Sequence, residues 1–436
     1  MTAFAPAVPG ALATRPLSVR TAAALAVLAT LPFTYALTIR VGFPLKLYEL
    51  VLVASAVIAF AEGRVRVARG SLRVLAPMLL FAVWAMAGTA YRLVAPPSTF
   101  DGSGFSTRFG PVGDAVLKSG YLGLALWAFL LVASVAYEEP RRVARWWMIG
   151  AAASATYAWV LFLSSVFALP APLLPGMEQP QIINVGGREL FRGGTFEEGN
   201  YFAMYVLCSV AVAAWLRWYR AALALSVTML ITFSTANTVS LALFWMVLGW
   251  FRASRERDPR TRLLIAGGAV GAVALAVIVL LPTGYLQAFI VDKLVSDDPG
   301  SKLDRLDLTV AGLRMALEHP VMGVGFTQFG YHYRAYNLTD IFAVARPMKA
   351  TVVNVWVEIL SETGLVGLAL VLAFGKRLWQ AARAAIPSSD AFRAALPALA
   401  LSLLTYPTYT VAFLWAFLAL IAGEGLRARD GVTVGA

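Results

Sequence analysis

Apolar runs of about 20 residues recur along almost the whole chain, and short arginine-bearing segments separate them. One α-helix needs a run of this length to cross the hydrocarbon core of a bilayer. The chain is 59% hydrophobic and only 14% charged, whereas soluble domains carry about 25% charged residues. The sequence therefore predicts an all-α polytopic membrane protein, with residues 1–436 forming a single integral membrane domain.

We predict twelve transmembrane helices from these runs. They lie near residues 21–39, 46–62, 74–91, 115–136, 147–168, 200–216, 221–234, 237–251, 263–282, 352–372, 394–408 and 410–424. The seventh and eighth are short, so a single bent helix pair is an alternative for them. With twelve spans, the main arginine clusters fall on the same side as Arg15 and Arg20. An excess of Lys and Arg marks the cytoplasmic side, so both termini are expected there.

The opposite, outer face then receives three longer segments. They lie near residues 92–114, 169–199 and 283–351. Long segments of this kind are usually functional. In the third, apolar residues recur at helical spacing from Leu306 to Leu317. This predicts a helix that lies against the membrane surface and ends before Pro320.

Arginines on the outer face are not explained by anchoring in the cytoplasm. Arg188 and Arg192 lie in a glycine-rich stretch that leads into a predicted span at Asn200. Arginine is suited to bidentate contacts with phosphate, whereas a structural ion pair of Arg192 with Glu197 or Glu198 is an equally open interpretation.

Asn354, Glu358 and Glu362 recur every four residues and so form one stripe at the start of a predicted span. Carboxylates within a span are costly and usually face the protein interior or a watery cavity. Glu358 could take a proton from a hydroxyl group, and an interhelical hydrogen bond is the alternative role. His332 lies among tyrosines, where a sugar-facing and an interfacial role both remain open.

The composition argues against several other classes of site. The chain has two histidines and one cysteine, Cys208. These are too few for a zinc or haem site, and no metal or other cofactor is predicted. The net charge of +12 is explained by cytoplasmic anchoring, so no nucleic acid is expected as a partner.

Four segments, in the right order, resemble the O-antigen ligase and O-antigen polymerase (Wzy-type) superfamily of bacterial envelope proteins. They are Arg192–Asn200, Ser234–Thr238, Asp304–Gly325 and Asn354–Gly367. The resemblance covers roughly residues 186–370, and the flanking helices agree only in number and charge. The second segment lacks an arginine that many members of the superfamily have there.

The resemblance implies a metal-independent, inverting glycosyltransferase of the GT-C type in the bacterial inner membrane. Segments 169–199 and 283–351 would form its active-site face on the periplasmic side. The donor would be a glycan on undecaprenyl pyrophosphate, and a flippase and a chain-length regulator would be further partners. Polymerases use a second lipid-linked unit as acceptor, whereas ligases use lipid A–core. Ligases typically have a histidine where this chain has Val353, which favours a polymerase of O-antigen, capsule or exopolysaccharide.

Roles for individual residues follow from the resemblance. Arg192, Arg305 and Arg314 would bind the donor pyrophosphate, and Glu358 would orient or deprotonate the acceptor hydroxyl, with His332 as the fallback. Arg188, Asn200 and Asn354 would support them. A transporter of an anionic solute is the alternative from another class. Against it, the polar residues gather on outer loops and no inverted repeat is visible.

Overall fold

The computed structural model describes residues 18–40, 44–61, 69–101, 109–178, 180–185, 187–263, 267, 299–338, 350–386 and 389–431. About 73% of the structure is helical. The helices are α1 (Val19–Thr30), α2 (Leu47–Ala61), α3 (Arg69–Val94), α4 (Gly110–Glu138), α5 (Pro140–Val166), α6 (Gly199–Trp215), α7 (Tyr219–Leu230), α8 (Thr235–Ala253), α9 (Pro299–Glu318), α10 (Phe329–Tyr336), α11 (Val355–Ala384), α12 (Asp390–Ser402) and α13 (Ala412–Arg429). A short 3₁₀ helix, Leu403–Thr405, follows α12.

Within the described residues, four helices are long and apolar enough to cross a membrane. They are Gly70–Val94, Gly110–Glu138, Pro140–Val166 and Val355–Ala384. Their outward faces carry exposed apolar side chains, such as Leu80 at 59% and Val116 at 68% exposure. A contiguous apolar exterior is unfavourable in water and matches a bilayer. The prediction of an all-α membrane protein is confirmed.

Several predicted boundaries differ from those of the structure. The first helix ends at Thr30 rather than near residue 39, because Pro32 has no amide hydrogen to continue the helical hydrogen bonds. Helices α7 and α8 are separate elements joined by residues 231–234. The predicted span at 263–282 lies almost entirely outside the described residues. The total of twelve spans therefore stays a prediction.

Two short hairpins interrupt the helices, and the sequence pattern did not predict them. The first pairs β1 (Ile39–Arg40) with β2 (Pro44–Leu45). The second pairs β3 (Ile182–Val185) with β4 (Arg188–Phe191), with Ile182 opposite Phe191. The second hairpin lies inside the predicted outer segment 169–199. Arg192 follows its last strand directly and precedes α6.

The core is built from small and aromatic side chains between helices that are distant in sequence. Helix α4 packs along α13, α3 packs along α11, and α8 packs along α12. Phe374 of α11 stacks on Trp415 of α13 with ring centres 5.7 Å apart, and Phe129 of α4 meets both rings edge-on. This packing fixes α4 next to α11, which decides the geometry of the site below.

Candidate active site

Helix α11 is broken near its start, at Gly364. This glycine has φ +69° and ψ −170°, a conformation that L side chains rarely adopt. Such a break releases backbone carbonyls from the helix, and buried carbonyls must find other donors. Glu358 and Glu362 both precede the break, so they lie on a short helical segment of their own.

The segment after α9 supplies the missing partners. The amides of Val324 and Gly325 donate to the carbonyls of Ser361 and Glu362, at 2.9 and 3.0 Å. In return, the Leu365 amide donates to the Pro320 carbonyl at 2.7 Å. His319 to Gly325, the end of the Asp304–Gly325 segment, thus forms the strap that holds the broken helix.

Gly364→Ala is expected to lower the free energy of unfolding by at least about 2 kcal/mol. The added Cβ would clash with the carbonyl of Val321, and the backbone is already in the left-handed region. Thermal unfolding in detergent measures the effect. Gly375→Ala is the matched control on the same helix, because a Cβ there meets nothing within 4 Å; equal stability of the two variants would contradict this account.

A cavity of about 420 Å³ opens beside the segment of α11 that precedes Gly364. Its charged lining residues are Asp114, Lys118, Glu358 and Glu362. Lys118 of α4 forms a hydrogen-bonded ion pair with Glu358, and its Nζ lies 3.9 Å from Oε2 of Glu362. The two glutamates are each only 4% exposed. The prediction that these carboxylates face a cavity agrees with this geometry.

Lys118 was missed by sequence reasoning, although a signal for it existed. It is a basic residue inside the predicted span 115–136, and an ionisable residue within a span marks a functional site by default. Its ammonium also lies over the rings of Phe326 and Tyr409, at 5.3 and 6.0 Å from their centres. The interaction with Glu358 joins residues 240 positions apart, which no local pattern can reveal.

Asn354 and Glu362 also accept hydrogen bonds from backbone amides. Asn354 is the N-cap of α11, and its Oδ1 accepts hydrogen bonds from the amides of Trp356 and Val357. Glu362 accepts a hydrogen bond of 3.4 Å from the amide of Phe329, the first residue of α10. A carboxylate at a helix N-terminus is stabilised by the exposed amides there. Only Glu358 and Glu362 of the predicted stripe line the cavity.

A second, smaller cavity of about 230 Å³ adjoins the first. The two share three lining residues, Tyr121, Tyr201 and Thr408. The smaller cavity is also lined by Lys46 and Glu197 and by three hydroxyl-bearing residues, namely Thr34, Tyr48 and Thr410.

Arg192 and Arg305 do not line the smaller cavity. Both interact electrostatically with Glu198, next to the cavity-lining Glu197. Burial, followed by the charge of Glu197, raises the pKa of Glu198, and the two arginines oppose that rise. Arg192 also donates from Nη2 to Oδ1 of Asn200 at 3.2 Å. The interaction of Arg192 with Glu198 fits the structural interpretation, and phosphate binding by Arg192 or Arg305 stays a prediction.

Arg314 and Arg188 are not brought together with these residues. Arg314 follows Arg305 by nine positions, which is about two and a half helical turns, so the two side chains leave opposite faces of α9. Arg314 donates to the backbone carbonyl of Tyr336 at 3.3 Å. Arg188 lies exposed beside the turn of the β3–β4 hairpin. A joint clamp of Arg192, Arg305 and Arg314 is therefore not assembled in this structure.

The histidines lie outside both cavities. His332 is 1% exposed, and its Nδ1 is 2.9 Å from Oγ1 of Thr99. Burial, with smaller effects of His319 and Arg92, lowers the pKa of His332 to about 4. It is therefore neutral at pH 7 and a weak base. The ring of His319 contacts Arg92 and Tyr336 rather than capping α9.

The Ser234–Thr238 segment serves a structural purpose. Asn237 is fully buried and donates to Oγ of Ser234 at 2.8 Å and to the carbonyl of Asn200 at 3.4 Å, and it accepts a hydrogen bond from Ser402. It thereby ties α6, α8 and α12 together. In the part of the chain that the structure describes, no three His, Cys, Asp or Glu side chains are grouped to hold a metal ion.

Comparison with known proteins agrees with these segments. Residues 220–372 match the family model Wzy_C, described as O-Antigen ligase. The matched range contains the strap, α9, α10 and both cavity glutamates, whereas Lys118, Arg192 and Lys46 precede it. No curated protein gives a significant match to the chain.

Proposed function

We propose, from the premise that this chain belongs to the O-antigen ligase/polymerase superfamily, that it polymerises lipid-linked oligosaccharide repeat units of O-antigen, capsule or exopolysaccharide. The donor is a glycan on undecaprenyl pyrophosphate, and the acceptor is a second lipid-linked unit. The observation that carries the proposal is the buried carboxylate of Glu358, which lines a cavity and is paired with Lys118.

In the proposed reaction, the acceptor hydroxyl enters the larger cavity and gives its proton to Glu358. Its oxygen bonds to the anomeric carbon of the donor, the bond from that carbon to the phosphate oxygen breaks, and the electron pair leaves with undecaprenyl pyrophosphate. Lys118 compensates the charge of Glu358, so that an ionised carboxylate is sustained in a buried position. No metal ion takes part, and the configuration at the anomeric carbon inverts.

Arg192→Ala and Arg305→Ala are each expected to slow glycan transfer about 10-fold or more, because a charge-assisted hydrogen bond to the leaving group contributes about 1.5–3 kcal/mol. Arg314→Ala is the comparison variant. The side chain of Arg314 lies on the opposite face of α9 from Arg305, so its loss is expected to have the smaller effect. Polymer amount and length in cells carrying each variant measure this. Wild-type polymer from both Arg192→Ala and Arg305→Ala would remove the arginines from the mechanism.

Topology and partners belong to the same proposal. The arginine clusters support cytoplasmic termini and a periplasmic site in the inner membrane of a bacterium. A flippase that delivers repeat units and a chain-length regulator are the partners that such a polymerase needs.

A ligase that attaches finished polymer to a lipid or protein acceptor is the second candidate, favoured by the description of the matching family. Gel analysis of a deletion strain separates the two. Loss of a polymerase leaves only single repeats, whereas loss of a ligase leaves long lipid-linked polymer. Elongation of lipid-linked repeats by the purified protein in detergent would exclude transport of an anionic solute as its sole function.

A further inference from the structure

We infer that the smaller cavity receives the pyrophosphate of the donor and that Lys46 is a pyrophosphate-binding residue. The inference rests on the proposed transfer reaction. It assigns separate cavities to the two sides of that reaction, with Tyr121, Tyr201 and Thr408 forming the wall between them.

More carboxylates line the larger cavity than the smaller one, which favours the smaller cavity as the site of the anionic leaving group. Lys118 is the cation that lines the larger cavity, and three carboxylates, of Asp114, Glu358 and Glu362, line it as well. That cavity would repel an anionic leaving group. The smaller cavity is lined by Lys46 and by one carboxylate, Glu197, while Glu49, outside the lining, lies 3.9 Å from the Lys46 ammonium group.

The stereochemistry of the reaction points the same way. A displacement with inversion needs the attacking hydroxyl and the leaving phosphate on opposite sides of the anomeric carbon. With Glu358 receiving the proton in the larger cavity, the reacting carbon lies at the shared wall and the phosphate lies beyond it. Lys46 and Glu197 are the charged residues that line that far side.

Lys46 is held in place with its ammonium group still able to donate. Its backbone amide donates to Oε2 of Glu49 at 3.0 Å, while its Nζ is 3.9 Å from the other carboxylate oxygen, beyond hydrogen-bond distance. The side chain is 29% exposed. In the predicted topology, Lys46 begins a span at its outer end, where cytoplasmic anchoring does not explain a cation.

Two arginines interact with a direct neighbour of the cavity lining. Glu197 lines the smaller cavity, and the adjacent Glu198 interacts with Arg192 and Arg305. Movement of either guanidinium from Glu198 to a phosphate would exchange one anionic partner for another. Lys46, immediately before α2, lines the smaller cavity, and the two arginines, from the β4–α6 connection and from α9, interact with Glu198 beside the lining residue Glu197.

Binding of undecaprenyl pyrophosphate to the purified full-length protein in detergent tests the inference. Lys46→Met is expected to weaken binding roughly 10- to 100-fold, since it removes a charge-assisted hydrogen bond, and Lys46→Arg is expected to retain most of it. Lys376→Met, on the exposed part of α11, is the matched control and is expected to bind like the wild type. Thermal unfolding of each variant verifies folding, and Lys46→Arg carries the test if Lys46→Met does not fold.

Unchanged binding by folded Lys46→Met would overturn the inference and leave the polymerase proposal intact, provided that wild-type protein elongates lipid-linked repeats. Binding by Lys46→Arg as weak as background would also overturn it, since a cation at this position would then not suffice. If wild-type protein neither elongates repeats nor binds undecaprenyl pyrophosphate, the proposed function fails and the inference fails with it. Weak binding by Lys46→Met together with normal binding by Lys376→Met supports it.

Discussion

Glu358→Gln is expected to slow glycan transfer by about 10²- to 10⁴-fold, the range that a positioned general base contributes. Glutamine has nearly the same shape, but its amide does not take up the proton of the acceptor hydroxyl. The fold is expected to survive, because the amide oxygen can still accept from Lys118 and Glu362 remains 3.9 Å from the ammonium group. Elongation of lipid-linked repeats by purified protein measures the rate.

Glu189→Gln is the matched control for this experiment. Glu189 is an exposed carboxylate on β4, so its replacement is expected to leave the rate unchanged. Binding of undecaprenyl pyrophosphate to Glu358→Gln is expected to persist, because the leaving group occupies the other cavity in our proposal. If Glu358→Gln elongates repeats at the wild-type rate, Glu358 is not the base.

Lys118→Met is expected to have the largest effect on stability, lowering the free energy of unfolding by about 3–5 kcal/mol. The substitution leaves Glu358 and Glu362 buried at 4% exposure without the cation that compensates them. An uncompensated buried charge costs more than the lost ion pair contributes. Thermal unfolding in detergent, read beside Lys118→Arg as the charge-preserving control, measures the loss.

Combining Lys118→Met with Glu358→Gln is expected to recover part of the lost stability but none of the activity. The double variant removes one of the two stranded charges, so its effect on stability is less than the sum of the single effects. A double variant no more stable than Lys118→Met would show that the pair is not coupled. Recovered stability without recovered transfer separates the structural role of Lys118 from the chemistry of Glu358.

The sequence predicted the helices at most positions because apolar runs and the cost of burying backbone amides are local properties. It also predicted that α9 ends before Pro320 and that Glu358 faces a cavity. It overestimated the first span, since hydropathy does not register how Pro32 ends a helix. The break at Gly364 was equally invisible, because its cause is the pairing of α11 with the strap.

Among the candidate site residues, too, local patterns predicted some and tertiary contacts decided the others. Glu358 was predicted from its spacing on one helix, whereas Lys118 of α4 and Lys46, which immediately precedes α2, reach the two cavities only through packing. In the sequence, Arg305 and Arg314 are two arginines of the same predicted outer segment. Helical geometry places their side chains on opposite faces of α9.

By itself, the sequence determined the membrane class and the helical composition, and it indicated the resemblance to the O-antigen ligase and polymerase superfamily. Its choice of Glu358 as a site residue stays a prediction. Only the tertiary structure decided which charges share a cavity, because the packing of α3 against α11, of α4 against α13 and of α2 against α4, together with the strap across Gly364, depends on contacts between residues far apart in the chain. The separation of a cavity lined by three carboxylates from one lined by Lys46 and Glu197 is therefore a property of the packed helices, not of any one segment.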